Sequence, residues 1–188
     1  QVVSATAHGM DLSLPDGAAF SVQVLEEQLV RVRLRPAGGY REPRTWAIAP
    51  IAGRDVAWEG RARDDLSGFS CPAAQVKTEN GEVTLKTSGL SLRLRPDPLA
   101  LHWQDAQGRP LLSDRETSAY FTSSRTGAVR HYLARDRAER YYGLGDKTGP
   151  LNLHGRRLRT LGLDALGYDP QSGDPLYKHW PFVMTRAP

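Results

Sequence analysis

Val30-Arg31-Val32-Arg33-Leu34-Arg35 sets an apolar residue at every second position with an arginine after each. A period of two puts the apolar side chains on one face of an extended chain and the guanidiniums on the other, so the stretch reads as a strand with a dry and a wet side. The pattern recurs on both sides. Phe20, Val22 and Val24 alternate with Ser21 and Gln23; Val83 and Leu85 with Glu82, Thr84 and Lys86; Leu90, Leu92 and Leu94 with Ser91, Arg93 and Arg95. Turn residues separate these runs: Pro15-Asp16-Gly17, Ala37-Gly38-Gly39, Gln107-Gly108, and Asn80-Gly81, where two residues tolerant of positive φ suit a tight hairpin. Pro36 and Pro96 each close a strand by removing a backbone donor. Further strands are expected near Leu99–Trp103, Ala119–Thr122, Val129–Leu133 and Leu158–Leu163. Arg130–Tyr142 is the best candidate for a short helix, although Val129, His131 and Leu133 also alternate. Many short strands without intervening helices predict an all-β fold, an antiparallel sandwich.

Composition narrows the class. The chain has 188 residues, 39% hydrophobic and 24% charged, enough for one domain with a substantial core. Its 18 Gly and 13 Pro are scattered, as in a protein of many turns. No run approaches the roughly 20 apolar residues of a membrane span, and Gln1 to Met10 lacks the pattern of a signal peptide. The single cysteine, Cys71, leaves no internal disulfide and no cysteine-based zinc site. His8, His102, His131, His154 and His179 are dispersed without ligand spacing, so neither metal nor cofactor is expected. A net charge of +4, with most arginines alternating with apolar residues, describes wet strand faces rather than a nucleic-acid surface. Gly53–Ala74, with Arg61, Arg63, Asp64 and Asp65 close together, reads as a solvated loop.

Gly143-Leu-Gly-Asp-Lys-Thr-Gly149 superficially resembles a phosphate-binding loop, but Asp146 precedes the lysine where phosphate would sit. A dinucleotide fingerprint would need a third glycine at Thr148 and a helix after it, and Pro150 follows instead. The cluster Arg156, Arg157 and Arg159 is read as a solvated strand edge.

Three segments of the last quarter carry a family resemblance. Glu139-Arg-Tyr-Tyr-Gly-Leu-Gly-Asp-Lys-Thr-Gly-Pro150 resembles the Tyr-Gly-Leu-Gly-Glu/Asp-Lys-Thr-Gly motif of family 31 glycoside hydrolases. Leu163-Asp-Ala-Leu-Gly-Tyr-Asp-Pro170 resembles that family's Asn-Thr-Asp-Ala-Tyr-Gly-Tyr-Asp-Pro loop, and Asp174-Pro-Leu-Tyr-Lys-His-Trp-Pro-Phe182 its Asp-Pro-Leu-Tyr-Lys-Ser-Ile-Pro-Phe segment. Upstream, the Leu-Val-Arg-Val-Arg strand and Val-Thr-Leu-Lys-Thr-Ser-Gly-Leu-Ser-Leu agree with the family's N-terminal sandwich.

The resemblance implies an antiparallel β-sandwich of the galactose mutarotase-like (supersandwich) type over residues 1–188, truncated on its C-terminal side. It also implies a retaining α-glycosidase as the parent protein. A retaining mechanism needs two carboxyl groups roughly 5–5.5 Å apart, which the family takes from a (β/α)₈ barrel. A barrel of about 250 residues and the family's Trp-x-Asp-Met-Asn-Glu motif are both missing here, so no residue is expected to be catalytic and the chain alone is expected to be inactive. The family's sandwich sends one loop to the sugar. Asp164 matches its hydroxyl-binding aspartate, and Tyr168 is a candidate for stacking on a sugar face. By itself Asp164 also reads as a loop residue bonding its own backbone. Leu161, Gly162 and Leu163 stand where the family often carries aromatic and Asn residues, so the substrate is not carried over.

Asp146 and Lys147 are read as structural, and Trp180 and Phe182 as core or as surface the barrel covers. The expected partners are an α-linked glucoside or related oligosaccharide in the intact enzyme and the barrel itself. Self-association through the uncovered apolar face is also expected, with no nucleic acid and no membrane. The alternatives are a stand-alone carbohydrate-binding module and an aldose mutarotase-like enzyme. The second needs a His and a carboxylate facing one sugar, and no histidine is placed in sequence to suggest that pair.

Overall fold

The computed structural model describes residues 3–49, 54–123 and 125–186. They form two compact units, Gln1–Ala134 and Arg135–Pro188. Every strand pairing among the described residues is antiparallel, and none of these residues is helical.

The first unit is built on two meandering sheets. One runs in the order β1 (Val3–Thr6), β2 (Gly9–Ser13), β3 (Ala19–Glu26), β4 (Leu29–Arg35). Next in sequence is a small pair, β5 (Arg44–Thr45) with β6 (Arg61–Ala62). The second large sheet holds β7 (Gln75–Glu79), β8 (Glu82–Lys86), β9 (Leu90–Pro96), β10 (Leu99–Asp105) and β11 (Pro110–Ser113), each beside its sequence neighbour. A hairpin of β12 (Tyr120–Thr122) and β13 (Val129–His131) completes the unit.

The alternation read in the sequence is what joins the large sheets. Met10, Leu12, Phe20, Val22 and Val24 of the first form one core with Val83, Leu85, Leu92, Leu94 and Leu101 of the second. Burial of each large side chain contributes roughly 1.5–3 kcal/mol. Leu25 is also buried, because a bulge between Val24 and Glu26 rotates two successive side chains inward. Asn80 (φ 51°) and Gly81 (φ 80°) make the tight β7–β8 turn as expected.

Three expectations need correction. Arg130–Tyr142 is not helical: β13 ends at His131 and an irregular stretch follows, so the alternation of Val129 and His131 prevails over any helical period. Leu158–Leu163 is not a strand either. Its backbone bonds a side chain at Arg159 and a loop carbonyl at Leu163, and among the described residues no strand pairs with it. Finally, Gly53–Ala74 is not simply solvated. Arg61 is buried in β6, with its guanidinium donating to Asp65, to the Ala49 carbonyl and to Ser67.

A polar knot that sequence spacing did not disclose lies inside this unit. Asp114 is 1% exposed. One carboxylate oxygen accepts the Leu101 N–H at 2.9 Å and the other meets His131 Nε2 at 2.7 Å. Tyr120 stacks on the His131 ring with centroids 4.4 Å apart, and burial followed by the Asp114 carboxylate pushes its phenol upward in pKa. This histidine–carboxylate pair is closed within the fold, with its carboxylate buried, and is not a pair that faces a ligand. Both oxygens of the carboxylate are already engaged, so it serves to hold the β10 backbone and the β13 ring.

Candidate functional site

The segments that carried the family resemblance lie together in the second unit. Here β14 (Arg140–Gly143) pairs with β15 (Val183–Arg186), and the glycine-rich turn leaves the end of β14. Gly143, Leu144 and Gly145 all have positive φ, at 109°, 65° and 80°. The turn lies flat on the Asp174–Phe182 segment. The Leu144 N–H donates to the Phe182 carbonyl at 2.9 Å and the Asp146 N–H to that of Lys178 at 3.0 Å. A side chain at Gly145 would come within 2.9 Å of the Lys178 oxygen and of His179 Cα, so both the twist and the close approach require glycine. With these amides already donated, the turn works as a packing device rather than an anion cradle.

Lys147 follows it inward. Its side chain is 4% exposed; Nζ donates to the Arg159 carbonyl at 2.7 Å and to Asp174 Oδ1 at 3.3 Å. Asp174 Oδ2 accepts the Arg159 N–H at 2.7 Å, and the Arg159 guanidinium bonds the Asp174 carbonyl. Burial opposes the charge on Asp174, but the Arg159 N–H and the Lys147 ammonium outweigh it and hold the carboxyl below its ordinary range. Thr148, also buried, donates its hydroxyl to the Gly173 carbonyl at 2.6 Å. Lys147 is thus structural, as the sequence suggested. The reading of Arg156, Arg157 and Arg159 as a strand edge is overturned. Arg156 spends its guanidinium on the Thr148 carbonyl and the largely exposed Arg159 bonds Asp174, while for the exposed Arg157 no hydrogen bond is found among the described residues.

This brace clamps both ends of the stretch between Arg159 and Asp174, and Asp164 and Tyr168 project from that stretch. Both are exposed. The stretch is tied from beneath: the Leu163 N–H donates to the Leu176 carbonyl at 3.2 Å, and Tyr177 Oη to that of Ala165 at 3.1 Å. Tyr168 meets the Tyr177 ring edge-on at 6.3 Å. The loop's aspartates divide sharply. Asp169 bonds the Gln171 N–H and the Ser172 hydroxyl, which lowers its pKa, and Asp174 anchors the brace. No hydrogen bond to the Asp164 carboxylate is found among the described residues, so it does not close on its own backbone as a turn aspartate would. The bracing roles of Asp174, Arg159 and Tyr177 were not foreseen; the motif containing two of them was the available signal.

The projecting loop and the rest of the second unit expose several apolar side chains. Leu166 is 86% exposed, and Leu151, Leu161, Leu163, Trp180 and Phe182 are also open to solvent. Of the two places proposed for Trp180 and Phe182, the core is therefore excluded. Among the described residues no group of three or more His, Cys, Asp or Glu is arranged to hold a metal ion.

Antiparallel sheets sharing one core, with a braced loop after them in sequence, define an all-β sandwich domain. Residues 19–188 match the glycosyl hydrolase 31 N-terminal galactose mutarotase-like domain, and the chain belongs to that family. It is 30% identical over 112 residues to Alpha-glucosidase 2 of Bacillus thermoamyloliquefaciens, covering 60% of this chain and 14% of that protein. Its fold is that of the Flavobacterium johnsoniae family 31 dextranase, solved with isomaltotriose and with glucose, at TM-score 0.77 and 21% identity over 98% of this chain and 21% of that one. It is also similar to the family 31 α-xylosidase of Xanthomonas citri, at TM-score 0.59 and 23% identity over 81% of this chain and 16% of that one. The chain thus spans about a seventh to a fifth of the length of these relatives.

Proposed function

We propose that this domain is the non-catalytic sandwich of a retaining α-glycosidase. In this reading it packs against a catalytic barrel supplied by the rest of a longer polypeptide, and it presents the Asp164 loop to an α-linked glucoside. The observation that carries the reading is the free Asp164 carboxylate on a loop whose other aspartates are consumed in holding it. An ionised carboxylate accepts hydroxyl hydrogen bonds strongly, and a clamped one does so with little ordering cost. It would orient the sugar, a proximity role, while the bond-breaking acids lie elsewhere. The half-exposed Tyr168 ring offers an apolar face on the same loop. The exposed apolar residues of the second unit are of the kind a barrel would cover, and left uncovered they would favour self-association.

The test is Asp164→Ala in the domain joined to such a barrel. Loss of hydrogen bonds to a charged acceptor predicts a fall in kcat/KM for an α-glucoside of about 10- to 100-fold, with an unchanged melting temperature. Unaltered kcat/KM would refute the assignment.

A further inference from the structure

The wet face of the second large sheet is hollowed into a trough. In register, Lys86 stands opposite Ser91 and Ser91 opposite Gln104; in the next row Thr84 stands opposite Arg93 and Arg93 opposite His102. These side chains share one face because the residues that alternate with them, Val83, Leu85, Leu92 and Leu101, go to the core. Ser91 and Thr84 are short, so they form a floor below the longer side chains around them. The β8–β9 and β10–β11 turns close one end. The cavity is about 580 Å³, within the roughly 300–1,000 Å³ of small-molecule sites. Both turns are pinned. The Ser88 N–H and hydroxyl donate to Glu27. Asp105 Oδ1 accepts the Gln107 and Arg109 N–H groups, each at 2.9 Å, and Oδ2 accepts Arg109 Nε at 2.6 Å. The end of the trough is therefore ordered before any ligand arrives.

The charges left free in it are positive. Asp105 is the acidic residue among those that line the trough, and the turn occupies both of its oxygens. Lys86 and Arg93 are exposed, and the His102 side chain is 13% exposed. No hydrogen bond to any of these three side chains, or to the Thr84 hydroxyl, is found among the described residues. Two carboxylates approach: Glu82 comes within 3.7 Å of Arg93 Nε and Glu116 within 3.9 Å of His102 Nε2. Neither distance is a hydrogen bond. The Glu82–Arg93 pair is largely exposed and contributes little, and Glu116 is bonded to Arg95 at 2.9 Å. Direct neighbours across a sheet lie about 4.5–5.5 Å apart and diagonal ones about 7–8 Å. Arg93 thus has His102 beside it and Lys86 on its diagonal, and all three donors reach one small anion above the floor. No Trp, Tyr or Phe lines the trough, so a neutral sugar would find no ring to stack on.

We propose that this trough binds a small organic oxyanion, a phosphoryl or carboxylate group carried on a hydroxylated body. The anionic group sits among Lys86, Arg93 and His102, and the body lies over Ser91 against the Gln104 amide. Charge-assisted bonds to the guanidinium and ammonium supply the affinity. The site belongs to the first unit and does not depend on the Asp164 proposal.

The experiment titrates the 188-residue protein at low ionic strength with glucose 6-phosphate, glucuronate and glucose. Affinity is read by calorimetry and the site by two-dimensional NMR. At least one of the two anions should bind about tenfold or more tightly than glucose, with shifts confined to residues 84–93 and 102–108; the stronger of the two identifies a phosphoryl or a carboxylate ligand. Lys86→Gln and Arg93→Gln, both exposed changes, should each weaken that anion about tenfold, whereas Arg157→Gln, which removes an equal charge outside the trough, should leave it unchanged. No binding of either anion, affinity equal to that of glucose, shifts outside the trough, or an equal loss in Arg157→Gln would each overturn the proposal.

Discussion

Replacing Asp174 with alanine should loosen the loop that carries Asp164. The change strands the Lys147 ammonium, whose side chain is 4% exposed, with the Arg159 carbonyl as its remaining acceptor, and it releases the Arg159 N–H now held at 2.7 Å. Removing one partner of a buried ion pair costs about 3–5 kcal/mol. The lower end applies here, because Asp174 retains some solvent contact and the Arg159 guanidinium is largely exposed and adds little. Urea unfolding should therefore show the variant about 3 kcal/mol less stable wherever the second unit unfolds with the rest. Hydrogen exchange at Leu163 and Gly173, whose amides are bonded within this segment, should accelerate in step. Adding Lys147→Met removes the stranded charge as well, so the double variant should recover part of the loss. A loss below about 1 kcal/mol, well under the cost of a broken buried pair, together with unchanged exchange at those amides, would show that the brace does not hold the loop.

Three further changes probe the same unit. Gly145→Ala adds a Cβ at φ 80° within 2.9 Å of backbone and should destabilise by about 2 kcal/mol or more in thermal unfolding; a loss of a few tenths would mean the turn is not packed as described. Stability should also depend on pH at both extremes. The lowered pKa of Asp174 contributes stability that is present above the ordinary carboxylate value and lost as pH falls through the lower folded one, so Asp174→Asn should blunt the acid limb of melting temperature against pH. Tyr141 is pushed up to about 12, by burial first and then by its bond to Glu139. Its contribution is complete below the ordinary phenol value near 10 and lost as pH rises toward about 12, so Tyr141→Phe should flatten the alkaline limb.

The strands with strict alternation, β3, β4, β8 and β9, were legible because one face of each is dry and a period of two has no other solution. Short or mostly exposed strands such as β1, β7 and β11 carry weak periodicity, and register with a neighbour defines them instead. Leu158–Leu163 shows the converse: its composition suits a strand, yet its backbone bonds are taken by Asp174 and Leu176. The glycines of the 143–149 turn could be recognised in sequence, but not what they approach. The pairing of Asp114 with His131, like the clamp of Lys147 by Asp174, joins residues 17 and 27 positions apart through the tertiary fold, and no local spacing encodes it.

The most direct measurement is hydrolysis of a chromogenic α-glucoside by the purified 188-residue protein, with and without Asp164→Ala. A domain that shapes a sugar pocket while the reacting carboxyl groups reside on other polypeptide should release no aglycone above the solvent rate in either form. Sustained turnover that disappears with the Asp164 carboxylate would place the chemistry within these residues and contradict the account.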